Sequence, residues 1–203
     1  MAGATFATSV FFPFMILGLG FGLGLTPLVA NSNGSGDSHK LRNLFKTGFK
    51  INFLIGLLLF SLLLLISSNL YLFYQPPEVI KVCKEYFILI SISIIPIMIF
   101  SALKQFLEGL QNTITPMIIS LLSNVLNVVL NYLLIFDHGS FGGLGIEGAG
   151  WATLISRSLM VIAFLGFYFW RSKLRTILFS VVKDIFHFGH LNEILNIGLP
   201  ISI

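Results

Sequence analysis

Three asparagines and a serine recur at helical spacing in the fourth long apolar stretch of the sequence. Ser120, Asn124, Asn127 and Asn131 are separated by steps of four, three and four residues. Residues three and four apart share one face of an α-helix, so these side chains form a polar stripe. Exposing amide side chains to lipid costs free energy, so the stripe is expected to face protein or a water-filled cavity. It is either a wall of a transport pathway, which helps coordinate a cation or hydrate a proton relay, or a set of interhelical hydrogen bonds worth about 0.5–1.5 kcal/mol each.

The next apolar stretch holds two further candidate residues. We expect Thr153 at a depth close to the outer end of the stripe, because the two helices share a short connection, and it is predicted to join Asn127 and Asn131 in one network. The alternative is a hydroxyl that bonds to its own helix. Arg157 is the one basic residue well inside a stretch, roughly 13 Å below its start. An intramembrane arginine is a candidate functional residue by default and needs a partner, and no carboxylate in the visible spans is deep enough to serve.

The composition indicates that these residues belong to an integral membrane protein. The chain has 203 residues, of which 56% are hydrophobic and 10% charged, and its mean hydropathy is +0.94. A soluble fold of this length cannot hide so much apolar surface, and the same composition excludes disorder. The single cysteine, Cys83, excludes an internal disulfide and a metal site of clustered cysteines. No nucleophile elbow, phosphate loop or metal-binding helix pair stands out, so the sequence predicts no enzyme, no resident metal and no cofactor.

Five stretches are long enough to cross a membrane as helices, since a span needs about 20 mainly apolar residues. The alternating pattern of a lipid-facing strand is absent, so we predict an all-α, polytopic membrane helix bundle. The spans are expected at about residues 6–30, 48–71, 86–107, 115–136 and 148–170, and a sixth begins at about residue 197. Alternating glycines at 18, 20, 22 and 24, between Pro13 and Pro27, favour close helix packing or bending in the first span.

The basic residues indicate how the chain faces the membrane. Nine of the twelve lie on one side of the alternating topology: Lys40, Arg42, Lys46, Lys50, Lys104, Arg171, Lys173, Arg175 and Lys183. The positive-inside rule predicts that this side is cytoplasmic. The net charge of +4 therefore indicates the orientation of the chain in the membrane, and no nucleic acid is expected as a partner. Residue 1 then lies outside the cytoplasm, so we expect the intact protein to have at least one helix before it and further chain after residue 203. Residues 173–196 are predicted to form an amphipathic linker on the cytoplasmic surface.

Several segments resemble the multidrug and toxic compound extrusion (MATE) family of transporters. They are residues 104–109 (KQFLEG) leading to 115–117 (TPM), residues 127–136 (NVVLNYLLIF), residues 145–156 (GIEGAGWATLIS), the early residues 25–30 (LTPLVA) and the late residues 197–200 (IGLP). Each motif alone is only moderately specific, but their order and spacing together are a strong indication. The resemblance covers essentially the whole chain.

The resemblance implies two six-helix lobes around a central cavity, and export of cationic or amphipathic compounds in exchange for protons or sodium ions by alternating access. It assigns residues 1–172 to helices two to six of the N-terminal lobe, 173–196 to the linker between lobes, and 197–203 to the start of the second lobe. It also implies that Asn127, Asn131 and Thr153 match polar positions around a cation site. Many members have Asp where this chain has Asn131, and the family's key acidic residue lies on helix one, which is not in this sequence. The resemblance therefore does not decide between protons and sodium ions as the coupling ion.

Two other functions compete with that of a drug exporter in the inner (plasma) membrane. A lipid-linked oligosaccharide flippase of the related superfamily needs many basic residues in its cavity to hold a diphosphate, and only Arg157 qualifies here. A structural membrane protein without transport activity would be favoured if the full chain lacked a second lobe. The expected partners of an exporter are cationic small molecules, protons or sodium ions, and the lipid bilayer.

Overall fold

The computed structural model describes residues 2–73, 76–136, 143–183 and 190–202. Within these ranges every regular element is helical. The helices are α1 (Ala2–Leu23), α2 (Leu25–Gly34), α3 (Ser38–Ser68), a 3₁₀ turn (Leu70–Phe73), α4 (Pro77–Ile92), α5 (Ile94–Gly109), α6 (Ile114–Ile135), α7 (Ile146–Trp170), α8 (Ser172–Lys183) and α9 (Leu191–Ser202). Five segments are long and apolar enough to cross a membrane: Gly3–Gly34, Ser38–Ser68, Cys83–Gly109, Ile114–Ile135 and Ile146–Trp170. The predicted all-α membrane bundle with five spans is confirmed.

The first and third predicted spans are each made of two helices. The breaks fall at Gly24 and Ser93, and each lies three residues before a proline, Pro27 or Pro96. A proline lacks the N–H that would bond to the carbonyl four residues earlier, so the helix loses one backbone hydrogen bond at that point. At the second break the buried Ser93 hydroxyl donates to the Ile90 carbonyl over 2.7 Å, which gives the hydroxyl a partner within its own helix. Both spans are therefore interrupted, the third near its middle.

A glycine lets the last described helix approach the first break. A Cβ built on Gly24 would lie 2.7 Å from the Ile194 carbonyl oxygen and 2.8 Å from the Gly198 backbone nitrogen. The backbones at the end of α1 and in α9 therefore touch without an intervening side chain. This is the close helix packing that the glycines at 18–24 predict. Helix α9 begins at Leu191, earlier than the start predicted near residue 197.

An ion-paired cluster fastens the start of α9 to the start of α3. Glu193 Oε1 lies 2.8 Å from His190 Nδ1, and Glu193 Oε2 forms an ion pair with Lys40 Nζ at 3.1 Å. The hydrogen bond from His190, followed by that from Lys40, holds the pKa of the Glu193 carboxyl below its ordinary value. Residues 173–183 of the predicted linker lie in α8 and residues 191–196 in α9, whereas residues 184–189 lie outside the described residues.

Two buried apolar clusters hold the bundle together. One includes Phe45, whose ring centroid is 4.7 Å from that of Phe106 and 5.7 Å from that of Tyr168. The buried Tyr168 hydroxyl donates to the Leu103 carbonyl over 2.9 Å, so its polar atom is satisfied. The other cluster lies between α1, α3, α4 and α5 and includes Phe87. These clusters fix α1 to α5 and α7 relative to one another.

Helix α6 packs mainly against α7, and its Ile119 lies half-buried against the first cluster. The contact is close at the outer ends, where a Cβ built on Gly148 would lie 2.4 Å from the Leu134 carbonyl oxygen. Pro116 and Ser123 are buried in α6 within the described structure, whereas most of its apolar side chains are exposed or half-buried. The position of the polar stripe is therefore decided by how α6 meets α7.

Candidate functional site

The polar stripe of α6 meets hydroxyl groups of α7 along one line of contact. Asn127 Nδ2 donates to Ser156 Oγ over 3.1 Å, and Ser123 Oγ donates to the Ser156 carbonyl over 3.1 Å. Ser156 Oγ in turn donates to the Thr153 carbonyl over 3.1 Å. We call Ser123, Asn127, Asn131, Thr153 and Ser156 the polar seam. Three of its bonds form one connected path from α6 into α7.

The seam continues toward the outer end of α6 through Asn131. Its Nδ2 donates to both the carbonyl oxygen and the side-chain Oδ1 of Asn127, over 2.9 and 3.0 Å. Asn131 Oδ1 receives no hydrogen bond from any residue that the structure describes. Each carbonyl oxygen has two lone pairs, so Asn127 Oδ1 also keeps acceptor capacity. The seam thus offers neutral amide oxygens, the ligand type that hard cations prefer.

The depth of the seam places it within the membrane. Asn127 lies thirteen residues into α6, or roughly 20 Å from the helix start, and Ser156 lies ten residues into α7, or roughly 15 Å from its start. Both positions fall near the middle of a hydrocarbon core about 30 Å thick. Hydrogen bonds at this depth face little competition from water, so the seam is well suited to hold a defined geometry.

Other candidate residues from the sequence form bonds within their own helices. Ser120 Oγ donates to the Pro116 carbonyl over 2.7 Å, and Thr153 Oγ1 donates to the Ala149 carbonyl over 2.9 Å. Thr153 nevertheless contacts the seam through its carbonyl oxygen, which Ser156 bonds. Asn124 is exposed on the same side of α6. The functional roles of these residues stay predictions.

Sequence reasoning missed two members of the seam, Ser123 and Ser156. A signal for each was present, because Ser123 lies four residues before Asn127 and Ser156 lies three residues after Thr153. Such spacings put both serines on the predicted polar faces. Serine is common enough in membrane helices that the spacing alone does not distinguish a partner from a hydroxyl bonded to its own helix.

Arg157 points away from the seam, into the space between α1, α4 and α7. Its Nη1 donates to Ser93 Oγ over 2.7 Å, its Nη2 lies 3.7 Å from Met15 Sδ, and Cζ lies 5.5 Å from the Phe11 ring centroid. No carboxylate in the described part of the chain pairs with it. Ser93 lies between the C-terminus of α4 and the N-terminus of α5. A hydroxyl and a π face therefore contact this guanidinium.

The described residues contain no group of three or more His, Cys, Asp or Glu side chains that could hold a metal ion. The seam itself contains no titratable side chain, since all five members are Asn, Ser or Thr. Among the chemistries that such groups support, the arrangement is suited to coordinating a monovalent cation or hydrating a proton, whereas nucleophilic catalysis would need an activating base.

Comparisons with known proteins agree with the fold. The chain is 32% identical over 203 residues to a "Probable multidrug resistance protein NorM" of Rhizobium meliloti (strain 1021), covering 100% of this chain and 44% of that protein. Its fold matches an outward-facing MATE family transporter of the MOP superfamily with a TM-score of 0.84 at 23% identity, covering 99% of this chain and 44% of the other. An inward-facing MATE family transporter matches with a TM-score of 0.79 at 22% identity, covering 98% and 44%.

The chain therefore spans less than half the length of the relatives it matches. At these identities the solved structures show the fold alone. The model of the MatE family matches residues 1–133, which is more than half of the chain. Together with its five apolar spans, this shows that the chain is a multi-pass integral membrane protein that belongs to the MatE family.

Proposed function

We propose that this chain forms part of a secondary antiporter that exports cationic or amphipathic small molecules in exchange for protons or sodium ions. Family membership supports the proposal, as does the relative called a probable multidrug resistance protein. Because the chain spans 44% of that relative, transport is an activity of the whole protein, and we assign these residues to its N-terminal lobe. The plasma membrane is the proposed location.

The observation that carries the proposal is the bonded path from Asn131 through Asn127 to Ser156. A cation held between the two amide oxygens competes with the bond that Asn131 Nδ2 donates to Asn127 Oδ1. Ion binding is then linked to the hydrogen bonds that join α6 to α7. A ligand that binds one arrangement of helices better shifts the population toward it, which is how an ion gradient drives alternating access.

Neutral ligands alone give no net charge to attract a cation. A carboxylate from elsewhere in the intact protein is therefore part of the proposed site, consistent with the acidic residue of helix one that the family resemblance implies. The seam would then set the coordination geometry, and the carboxylate would supply the charge. No flippase function is proposed, because the seam holds no basic side chain for a diphosphate.

The test replaces Asn127 or Asn131 by Ala in the intact protein. Efflux of a cationic dye from reconstituted vesicles is measured under an imposed proton gradient and under an imposed sodium gradient. We expect each variant to lose most of the efflux that depends on the coupling ion, and the active gradient identifies that ion. Asparagine and alanine are both uncharged, so the substitution leaves the charge balance that orients the protein in the membrane unchanged.

Ser158→Ala is the matched control, because Ser158 lies two residues from Ser156 and donates only to its own helix, at the Leu154 carbonyl over 2.7 Å. Its efflux should equal that of the unchanged protein. If both asparagine variants kept full efflux with unchanged ion dependence, the seam would have no role in coupling and the proposed site would be wrong.

A further inference from the structure

A basic cavity opens at the predicted cytoplasmic end of the bundle, far from the polar seam. It lies where α2, α5 and α7 end and where α3 and α8 begin, and its volume is about 840 Å³. Arg42, Arg171 and Lys173 line it, together with an apolar wall that includes Leu41, Leu107 and Leu174. Five helix ends that are distant in sequence thus combine three cations with a hydrophobic surface. We call this the basic cavity.

Among the residues that the structure describes, no carboxylate lines the basic cavity. The acidic residues nearest in sequence have other partners: Glu108 lies 3.7 Å from Lys104, and Asp37 caps α3 by accepting from the Lys40 backbone N–H over 2.9 Å. Within the described ranges, Arg42 and Lys173 form no ion pair. Like charges in one cavity repel one another, so an anion that enters it relieves that repulsion as well as pairing with each cation.

The surroundings place the basic cavity at the level of lipid headgroups. Arg171 follows the last residue of α7, and its Cζ lies 5.8 Å from the ring centroids of both Phe167 and Trp170. Trp170 is 82% exposed, as expected for an aromatic residue in the interfacial belt. Phe179 of α8 is also exposed and packs edge-on against Phe169 at 5.6 Å. The end of α7 and helix α8 therefore present aromatic side chains where the membrane interface is expected.

We propose that the basic cavity binds the headgroup of an anionic phospholipid from the cytoplasmic leaflet. The two guanidinium groups suit a phosphate, because each donates two parallel hydrogen bonds, and Lys173 adds a third positive charge. The acyl chain lies along the apolar wall. The anionic lipids of the cytoplasmic leaflet supply such headgroups at the predicted depth. A free phosphate would use the cations but leave the apolar wall uncovered, so the amphiphile fits the cavity better.

The test measures lipid binding to the intact protein purified in a neutral detergent. Native mass spectrometry counts bound lipid after addition of phosphatidylglycerol or of phosphatidylcholine with the same acyl chains. The double variant Arg42→Gln and Lys173→Gln removes two charges from the cavity. Each charge near an anionic headgroup changes affinity by about fivefold, so we expect the double variant to bind phosphatidylglycerol about 25-fold more weakly.

The control is Arg175→Gln, compared with Lys173→Gln alone, because each removes one charge from the same side but Arg175 does not line the cavity. Arg175→Gln should bind phosphatidylglycerol within about twofold of the unchanged protein, and Lys173→Gln about fivefold more weakly. Equal loss in these two single variants, or equal binding of both lipids by the unchanged protein, would overturn the proposal. Displacement of the lipid by inorganic phosphate at matched concentration would also overturn it, because the cavity would then recognise a soluble anion. Since binding is read without transport, failure here is distinct from failure of the proposed antiport.

Discussion

Adding one methyl group at Gly148 should push the outer ends of α6 and α7 apart. The new Cβ would lie 2.4 Å from the Leu134 carbonyl oxygen and 2.6 Å from its carbonyl carbon. Carbon and oxygen atoms in close contact are normally about 3.3–3.6 Å apart, so the helices must separate by roughly 1 Å. The obstructing atoms belong to the backbone and cannot rotate away as a side chain can. The strain must therefore be relieved by moving a whole helix end.

The size of the effect follows from two opposing terms. Overpacking at a close contact costs about 1–3 kcal/mol, whereas replacing glycine by alanine in a helix gains up to about 1 kcal/mol. Gly166 of the same helix is the matched control, because a Cβ built there has no heavy atom within 4 Å. Gly166→Ala keeps the gain without the clash. The two variants should therefore differ in free energy of unfolding by about 1–3 kcal/mol, with Gly148→Ala the less stable.

The assay is unfolding of the intact protein in detergent, followed by ion-coupled efflux in vesicles. Separation of the helix ends also strains the hydrogen bond between Asn127 and Ser156, so efflux by Gly148→Ala should fall more than efflux by Gly166→Ala. The reasoning would be refuted if Gly148→Ala were as stable as Gly166→Ala. That result would mean that α6 and α7 do not meet at Leu134 with this spacing.

Two further predictions test the seam and the fastening of α9. A double-mutant cycle with Asn127→Ala and Ser156→Ala should give a coupling energy of about 0.6 kcal/mol in unfolding experiments, typical of hydrogen bonds between membrane helices, and strict additivity would contradict the bond. The pKa of Glu193 is lower in the folded protein than in the unfolded chain, so its contacts with His190 and Lys40 stabilise the fold above the ordinary carboxyl pKa and are lost as pH falls through the lowered value. Glu193→Gln should therefore show a weaker loss of melting temperature between neutral pH and the acidic range, and an unchanged pH profile would count against this cluster.

Much of the fold could be predicted because membrane spans are encoded locally. About 20 apolar residues are enough to identify a spanning helix, and the five predicted stretches correspond to the five observed ones. The breaks in two of them have a local cause as well, since Pro27 and Pro96 each remove a backbone donor. The sequence also placed Asn127 and Asn131 on one helix face, because their spacing of four matches the helical period.

Tertiary structure decided which faces meet. Ser123 and Ser156 are 33 residues apart, and Arg157 and Ser93 are 64 apart, so no helical period links them. Periodicity defines a face of a helix but not its neighbour, which depends on how all the helices pack. For the same reason the basic cavity, assembled from five helix ends, is not evident from the sequence, because Arg42 lies 129 residues before Arg171. The sequence by itself determined a membrane bundle with a polar stripe, and helix packing determined that the stripe bonds to Ser156 while Arg157 turns toward Ser93.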